Sequence, residues 1–444
     1  VLLVGPAAPE PAVFVALTVA FCALATLLVA EGRTPRLGTV PVAASAALLL
    51  ALAVAVPPVM SRDLWSYAAY GRIVVAHHAS PYVRVPADYP HDPLVARVAH
   101  GWRRTPSVYG PAFTGLSALG MRAAGTNPTA ARLFFQLLAA AAVAAGLVLT
   151  HRHARDPRAL AAVGCNPVVV VAVVNAGHND ALVGLALVGA VAAASRRRWS
   201  AAGALVGAAA LVKVTALVGM VGLALWLAGA VGMRRALGAV VACGLVVVAG
   251  YALGGGWTAL RPLEEARLRT SGASPWNPLR VELTRDRIED GERGVVAGRR
   301  VREDLSRLSA LAVGVLATVV ALRHRRDPTP ALAVGGSLLA FTLCGTYVLA
   351  WYVAPVVMVG DLAWRSRVTT LALAQGSLLE LAYVPDFRLG APGLHRPGIL
   401  EQLPLVLRTR WLPVFEVVAV VVLVAGSLRR RPRPPGRVAL PAGA

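Results

Sequence analysis

The chain reads as apolar blocks of roughly membrane-spanning length, broken by short turns dense in arginine and by three longer polar stretches. Nowhere do apolar and polar residues alternate with the period of two that marks a half-buried strand. A segment crossing lipid must also satisfy its own backbone N–H and C=O groups, so the blocks are expected to be helices. Spans fall near 12–30, 38–56, 132–150, 159–175, 180–194, 236–253, 308–322, 329–346, 348–363, 368–384 and 411–427, with a hairpin of two short helices over 199–231. That makes about thirteen spans and an all-α polytopic bundle. The stretch 111–124, PAFTGLSALGMRAA, is too short to cross roughly 30 Å of hydrocarbon and is expected to be re-entrant or interfacial.

Arginine-rich turns tend to stay in the cytoplasm, and here they recur as EGRTPR, HRHARDPR, SRRR, RHRR, RSR and a terminal RRRPRPPGR. Placing them on one side puts the long polar segments 57–110, 254–307 and 385 to about 410 on the other. The chain is then one transmembrane domain over 1–444, with a first outer loop of juxtamembrane helices over 57–124 and a basic cytoplasmic tail at 428–444. The charge-dense 254–307 segment reads as a partly mobile helical excursion and a candidate lid.

Composition changes this picture only at its edges. Of 444 residues, 57% are hydrophobic and 15% charged. The net charge of +22 belongs to dispersed topological arginines, so no nucleic-acid partner is expected. Lys213 is the one lysine among 44 basic residues, and the weight of Ala, Val and Arg is the bias of a GC-rich bacterial genome. Cys22, Cys165, Cys243 and Cys344 all fall in apolar blocks and read as small core residues.

Candidate chemistry concentrates where the second span ends. In MSRDLWSYAAYGR, Asp63 is a carboxylate at a membrane exit, costly to desolvate without a task or a partner. Trp65, Tyr67 and Tyr70 offer faces on which a sugar ring can stack, and Arg62, Arg72 and Arg84 can hold a phosphate. The plainer reading has Arg62 or Arg72 neutralising Asp63 and the aromatics forming an interfacial belt. His178, Asn179 and Asp180 either cap the helix that starts near 180 or contact sugar and phosphate, and Asp180 is the second candidate for a base. Lys213, flanked by small and apolar residues, marks the break in the 199–231 hairpin or points to a polar cavity. Trp351 and Tyr352 are belt aromatics or a groove wall. His77-His78 and His91-Asp92 come nearest to a metal-ligand set but lack its spacing, so neither a metal nor another cofactor is expected.

SRDLWSYAAYGR, SPY with Tyr82, VYGP with Tyr109, CNP, NAGHNDAL, VKVTA and TYVLAWYVAP occur in this order. Together they resemble the polyprenol-phosphate-mannose-dependent α-1,6-mannosyltransferases of actinobacteria, within the GT-C glycosyltransferases. The resemblance implies a GT-C-type bundle in the bacterial cytoplasmic membrane with its active site facing outward. It also implies a polyprenyl-phosphate-mannose donor and a glycolipid or growing α-1,6-mannan acceptor of the lipomannan type. An acidic residue at the start of the first outer loop is the catalytic base in such enzymes, and that place holds Asp63. Competing expectations are a transporter or flippase of a polyprenyl-linked sugar, a non-catalytic partner of another transferase, and a GT-C enzyme using another lipid-phosphate sugar.

Overall fold

The structure, a computed structural model, describes residues 10–33, 37–384 and 399–428, and every regular element among them is helical. In chain order these are α1 (Glu10–Arg33), α2 (Thr39–Ala55), α3 (Asp63–Val75), α4 (Pro111–Ala124), α5 (Pro128–Ala154), α6 (Pro157–Gly164), α7 (Asp180–Ser195), α8 (Trp199–Ala210) and α9 (Val218–Ala230). There follow α10 (Met233–Leu253), α11 (Arg261–Ala266), α12 (Trp276–Glu289), α13 (Gly294–His324), α14 (Ala331–Cys344), α15 (Ala354–Gly360), α16 (Arg367–Ala382), α17 (Ile399–Val406) and α18 (Leu412–Leu428). Most of the third polar segment and the basic tail lie outside the described residues.

Among the described residues, five helices are long and apolar enough to cross a membrane, within Pro11–Glu31, Pro128–Ala154, Met233–Leu253, Gly294–His324 and Gln402–Leu428. A sixth crossing arises if α6 and the π-turn Val168–Asn175, bent by 47°, count together. Several spans expected from hydropathy are shorter helices, such as the 17 residues of α2, the 16 of α7 and the 14 of α14. Hydropathy records apolar runs but not where backbone breaks, and breaks are tolerated at membrane depth when protein surrounds them. The stretch at 111–124 is a 14-residue helix packed on α3 and α5.

Helix α10 shows how the bundle meets its solvent: Leu237, Val241, Leu245 and Val248 are exposed, while Ala236, Ala239 and Cys243 are buried. The steps of three and four put these sets on opposite faces, and an exposed valine-leucine stripe is suited to lipid rather than water. On α8, Gly203 and Gly207 form a small-xxx-small face, and a Cβ at either would press on the Ala239 or Cys243 carbonyl of α10. The core lies among α5, α7, α14, α15 and their neighbours and is continuous with the base of the polar site.

A buried polar knot fixes where the chain leaves α2. The last carbonyls of a helix lack intrahelical partners. Here the Asn175 amide donates to Ala53 and Val56 carbonyls at 3.0 Å each, and its oxygen accepts from Val59 N–H at 2.8 Å. Gln136 of α5 donates to the same two carbonyls and to the Asn175 carbonyl. Three distant segments are thereby tied together four residues before Asp63.

The 254–307 segment is helical through α11, α12 and about the first four turns of α13. Its α12 and α13 stand side by side, laced by Arg287–Asp304 at 3.3 Å and Arg300–Glu292 at 2.6 Å. Exposed pairs of this kind contribute about 0–1 kcal/mol each, so they orient the hairpin more than they hold it.

Candidate active site

Asp63 opens α3, its backbone N–H bonded to Ser61 Oγ at 3.2 Å, and its side chain lines a cavity of about 580 Å³. Two broken segments meet it there. The first is the end of α8, where the backbone turns extended at Lys213 before a 3₁₀ turn at Val214–Leu217 leads into α9. The Gly110 N–H donates to the Val212 carbonyl at 3.0 Å, and Ala112 N–H to Leu211. A Cβ at Gly110 would collide with the Leu211 carbonyl, so only glycine allows this contact. VYGP and VKVTA, about a hundred residues apart, thus share one junction that sets Lys213 near Tyr109.

The second broken segment is NAGHNDAL, between the π-turn and α7. Asp180 accepts from Lys213 Nζ through both oxygens, at 2.8 and 3.0 Å, and the ammonium lies 3.5 Å from the centre of the Tyr352 ring. A buried lysine is costly without a partner, and here it has an anion and an aromatic face. His178 shares a 3.0 Å hydrogen bond with the Tyr67 hydroxyl through Nδ1 and stacks on Trp351 at 4.0 Å. Its Nε2 and both polar atoms of the Asn179 amide are buried without a hydrogen-bond partner among the described residues.

Burial pushes the Asp63 carboxyl from its ordinary range up to about 6, against the pull of Lys213, with Asp180 raising it further and Arg269 lowering it. The group lies beneath the molecular surface yet stays partly accessible from the cavity. It is therefore a carboxylate at neutral pH that is easily protonated, the condition a general base needs.

The cavity has two characters. Around Asp63 its lining is polar and aromatic, with Trp102, Tyr109, Lys213, Arg269, Tyr347, Trp351 and Tyr352. Away from Asp63 it runs along Val218 and Val221 of α9, Ala310, Val313 and Ala317 of α13, and Phe341 of α14. An apolar channel thus ends at a charged head.

Of the residues singled out in the sequence, Asp63, Tyr109, Lys213, Trp351 and Tyr352 line this cavity, and Tyr67, His178, Asn179 and Asp180 form the layer beneath. Tyr70 is buried, its hydroxyl donating to the Thr105 carbonyl at 3.0 Å. The others face elsewhere. Arg72 pairs with Asp92 at 2.9 Å, an aspartate that also meets His77 at 3.1 Å, so Arg72 braces the loop. Arg84 stands near Asp88 at 3.8 Å on the surface, and Arg62 is exposed. Trp65 is buried under Arg97, and Tyr82 donates to Thr114 at 2.9 Å beside Tyr251. Among the described residues no three His, Cys, Asp or Glu side chains gather as a metal-ligand set.

Three site residues escaped the sequence reading. Arg269 lines the cavity with its guanidinium 4.1 Å from the centre of the Trp102 ring, and it donates to Thr105 at 3.2 Å. Tyr347 joins it at the same edge. Trp102 carried one signal, an isolated tryptophan in a polar loop, but Arg269 is one arginine among many until the fold brings it across.

Residues 11–229, just under half the chain, match the alpha-(1->6)-mannopyranosyltransferase family, N-terminal domain. Alpha-(1->6)-mannopyranosyltransferase A of Corynebacterium glutamicum is 30% identical over 146 residues, 32% of this chain and 29% of that protein. The aligned part thus spans about three tenths of the relative's length. SRDLWSYAAYGR, VYGP, NAGHNDAL and VKVTA all fall inside the matched region, so residues 11–229 are similar to the N-terminal domain of that family.

Proposed function

We propose that this chain is an inverting mannosyltransferase of the GT-C type, taking mannose from a polyprenyl-phosphate donor and adding it to an α-1,6-mannan acceptor on the outer face of the cytoplasmic membrane. The observation that carries the reading is the two-character cavity, with Asp63 at its polar head. A prenyl tail fits the apolar channel among α9, α13 and α14, and a sugar phosphate fits the head. The family match over residues 11–229 supports mannose as the sugar.

In this mechanism the Asp63 carboxylate accepts the proton of an acceptor hydroxyl as its oxygen attacks the anomeric carbon. The bond from that carbon to the phosphate oxygen breaks, and the electron pair leaves with the polyprenyl phosphate. Lys213 and Arg269 offset the charge that develops there. One carboxylate suffices because phosphate needs no protonation to depart. Tyr109, Trp351 and Tyr352 supply faces for the sugar, and the His178–Tyr67 pair holds Trp351 from below. Asp180 serves by fixing Lys213 rather than as the base, since both its oxygens are engaged.

The test is transfer by the purified chain in nanodiscs from a radiolabelled polyprenyl-phosphate-mannose to a synthetic mannoside. The expected product has the anomeric configuration opposite to the donor's. Retention, or transport of the donor without transfer, would refute the proposal.

A further inference from the structure

A second cavity, of about 650 Å³, adjoins the first and shares Arg269 and Tyr347 with it. It is lined by Arg269, Arg280, Arg299 and Arg302 with Glu265. Arg299 is spent on Glu265 and Glu303, at 3.2 and 3.1 Å. Among the described residues, Arg269, Arg280 and Arg302 form no salt bridge with a carboxylate. Arg280 is oriented through both Nε and Nη2 by the Asn277 oxygen, at 3.2 and 3.0 Å. Three partly buried guanidinium groups converging without a counter-ion make a site for an anion with several oxygens.

Helix α13 joins the two cavities along one face. Arg299 and Arg302 point into the arginine pocket, then Ser306, Ala310, Val313 and Ala317 into the apolar channel, in steps of three and four. From Arg302 to Val313 the helix rises about 16 Å. A ligand on this face has an anionic head and an apolar tail. The first cavity already offers a phosphate position beside Lys213 and Arg269, so the arginine pocket is a second one for the same kind of amphiphile.

Resting on the proposed reaction, the chemistry says which amphiphile uses it. The donor is a phosphodiester with one negative charge, whereas the departing group is a phosphomonoester carrying about −1.5 to −2 at pH 7. We propose that the arginine pocket is the receiving site for the polyprenyl monophosphate: after transfer its head swings from Lys213 and Arg269 to Arg269, Arg280 and Arg302 while its tail stays on α13. Arg269 bridges the two positions. The extra charge gained in the reaction selects the richer arginine site and clears Asp63 for the next donor.

The test is equilibrium binding of farnesyl monophosphate, and of its methyl diester, to the full chain in phosphatidylcholine nanodiscs. Replacing Arg280 and Arg302 together by Gln is expected to weaken monophosphate binding about tenfold or more, the scale of one lost charge-assisted hydrogen bond or two. Methyl-diester binding should change less than about twofold. Arg302→Gln alone, in a side chain with no carboxylate to strand, should give part of the loss and guards against misfolding of the double variant. Equal loss for both probes, no loss for either, or absence of monophosphate binding by the native chain would overturn the proposal. Two competitors identify the source of the phosphate. Unlabelled farnesyl monophosphate should displace the probe at far lower concentration than inorganic phosphate or phosphatidylglycerol in the nanodisc. Equal potency of inorganic phosphate would remove the tail from the site, and equal potency of phosphatidylglycerol would make it a general headgroup site; either contradicts the inference. Asp63→Asn should leave binding intact, so transfer surviving in that variant would refute the reaction without touching the binding result.

Discussion

On the wall built by residues 57–230, most polar groups that fix the geometry around Asp63 have stated partners, His178 Nε2 and the Asn179 amide being the exceptions among the described residues. Asp180 holds Lys213, Asn175 and Gln136 hold the exit of α2, and the backbone of the α8 break holds Gly110. On the wall built by 254–307 and α13, the surface is laced by exposed ion pairs while Arg269, Arg280 and Arg302 have no carboxylate partner among the described residues. The first wall is preorganised, which suits groups that must meet a reacting atom within a fraction of an ångström. The second is an electrostatic basin, which suits capture and release of an anion. On the proposed reading, one cavity system divides chemistry and traffic between its walls.

If that contrast is right, the walls should answer mutation differently. Lys213→Met should have the largest effect, because it leaves Asp180 buried and unpaired at a cost of about 3–5 kcal/mol. It also removes the cation that holds the Asp63 carboxyl down, so the acid limb of any residual activity should move to higher pH. Adding Asp180→Leu should restore thermal stability but not transfer, which separates Lys213 as a charge from Lys213 as a structural pair. Thermal unfolding and a pH–rate profile read both.

Asn175→Ala should come next. Its loss leaves the buried Val59 N–H unpaired at about 1–3 kcal/mol, while Gln136 still holds the Ala53 and Val56 carbonyls, and it loosens the segment that carries Asp63, so the melting temperature and kcat should both fall. A kcat that fell at unchanged stability would assign Asn175 to the chemistry instead. At the small end, Arg300→Gln breaks a surface pair to Glu292 and should change stability by no more than about 1 kcal/mol. A larger loss would mean that the second wall is as preorganised as the first.

The sequence made the first wall legible and the second hardly at all. Asp63 stood out because a carboxylate at a membrane exit is expensive, and Lys213 because an ammonium among alanines and valines demands a partner. That the partner is Asp180 could be only one option among several, since nothing local pairs residues 33 positions apart across a broken helix. Arg72 illustrates the opposite error of proximity: nine residues from Asp63 in sequence, it turns to Asp92 instead. Arg269 was invisible because its identity as a site residue depends on Trp102, more than a hundred and sixty residues earlier. The helix count blurred for a related reason, since α6 and the π-turn after it bend by 47° within one apolar run.

The central claim is that Asp63 takes the proton. The measurement closest to it is the rate of mannose transfer by the purified chain between pH 5 and 8, native against Asp63→Asn, at saturating donor. Burial raises the Asp63 carboxyl to about 6, so the base form is lost as pH falls through that value. The native rate should drop about tenfold per unit below it and level off above. The Asn variant should bind donor, transfer about 10² to 10⁴ times more slowly, and lack that acid limb. A variant that keeps the native rate, or the same limb, would contradict the account.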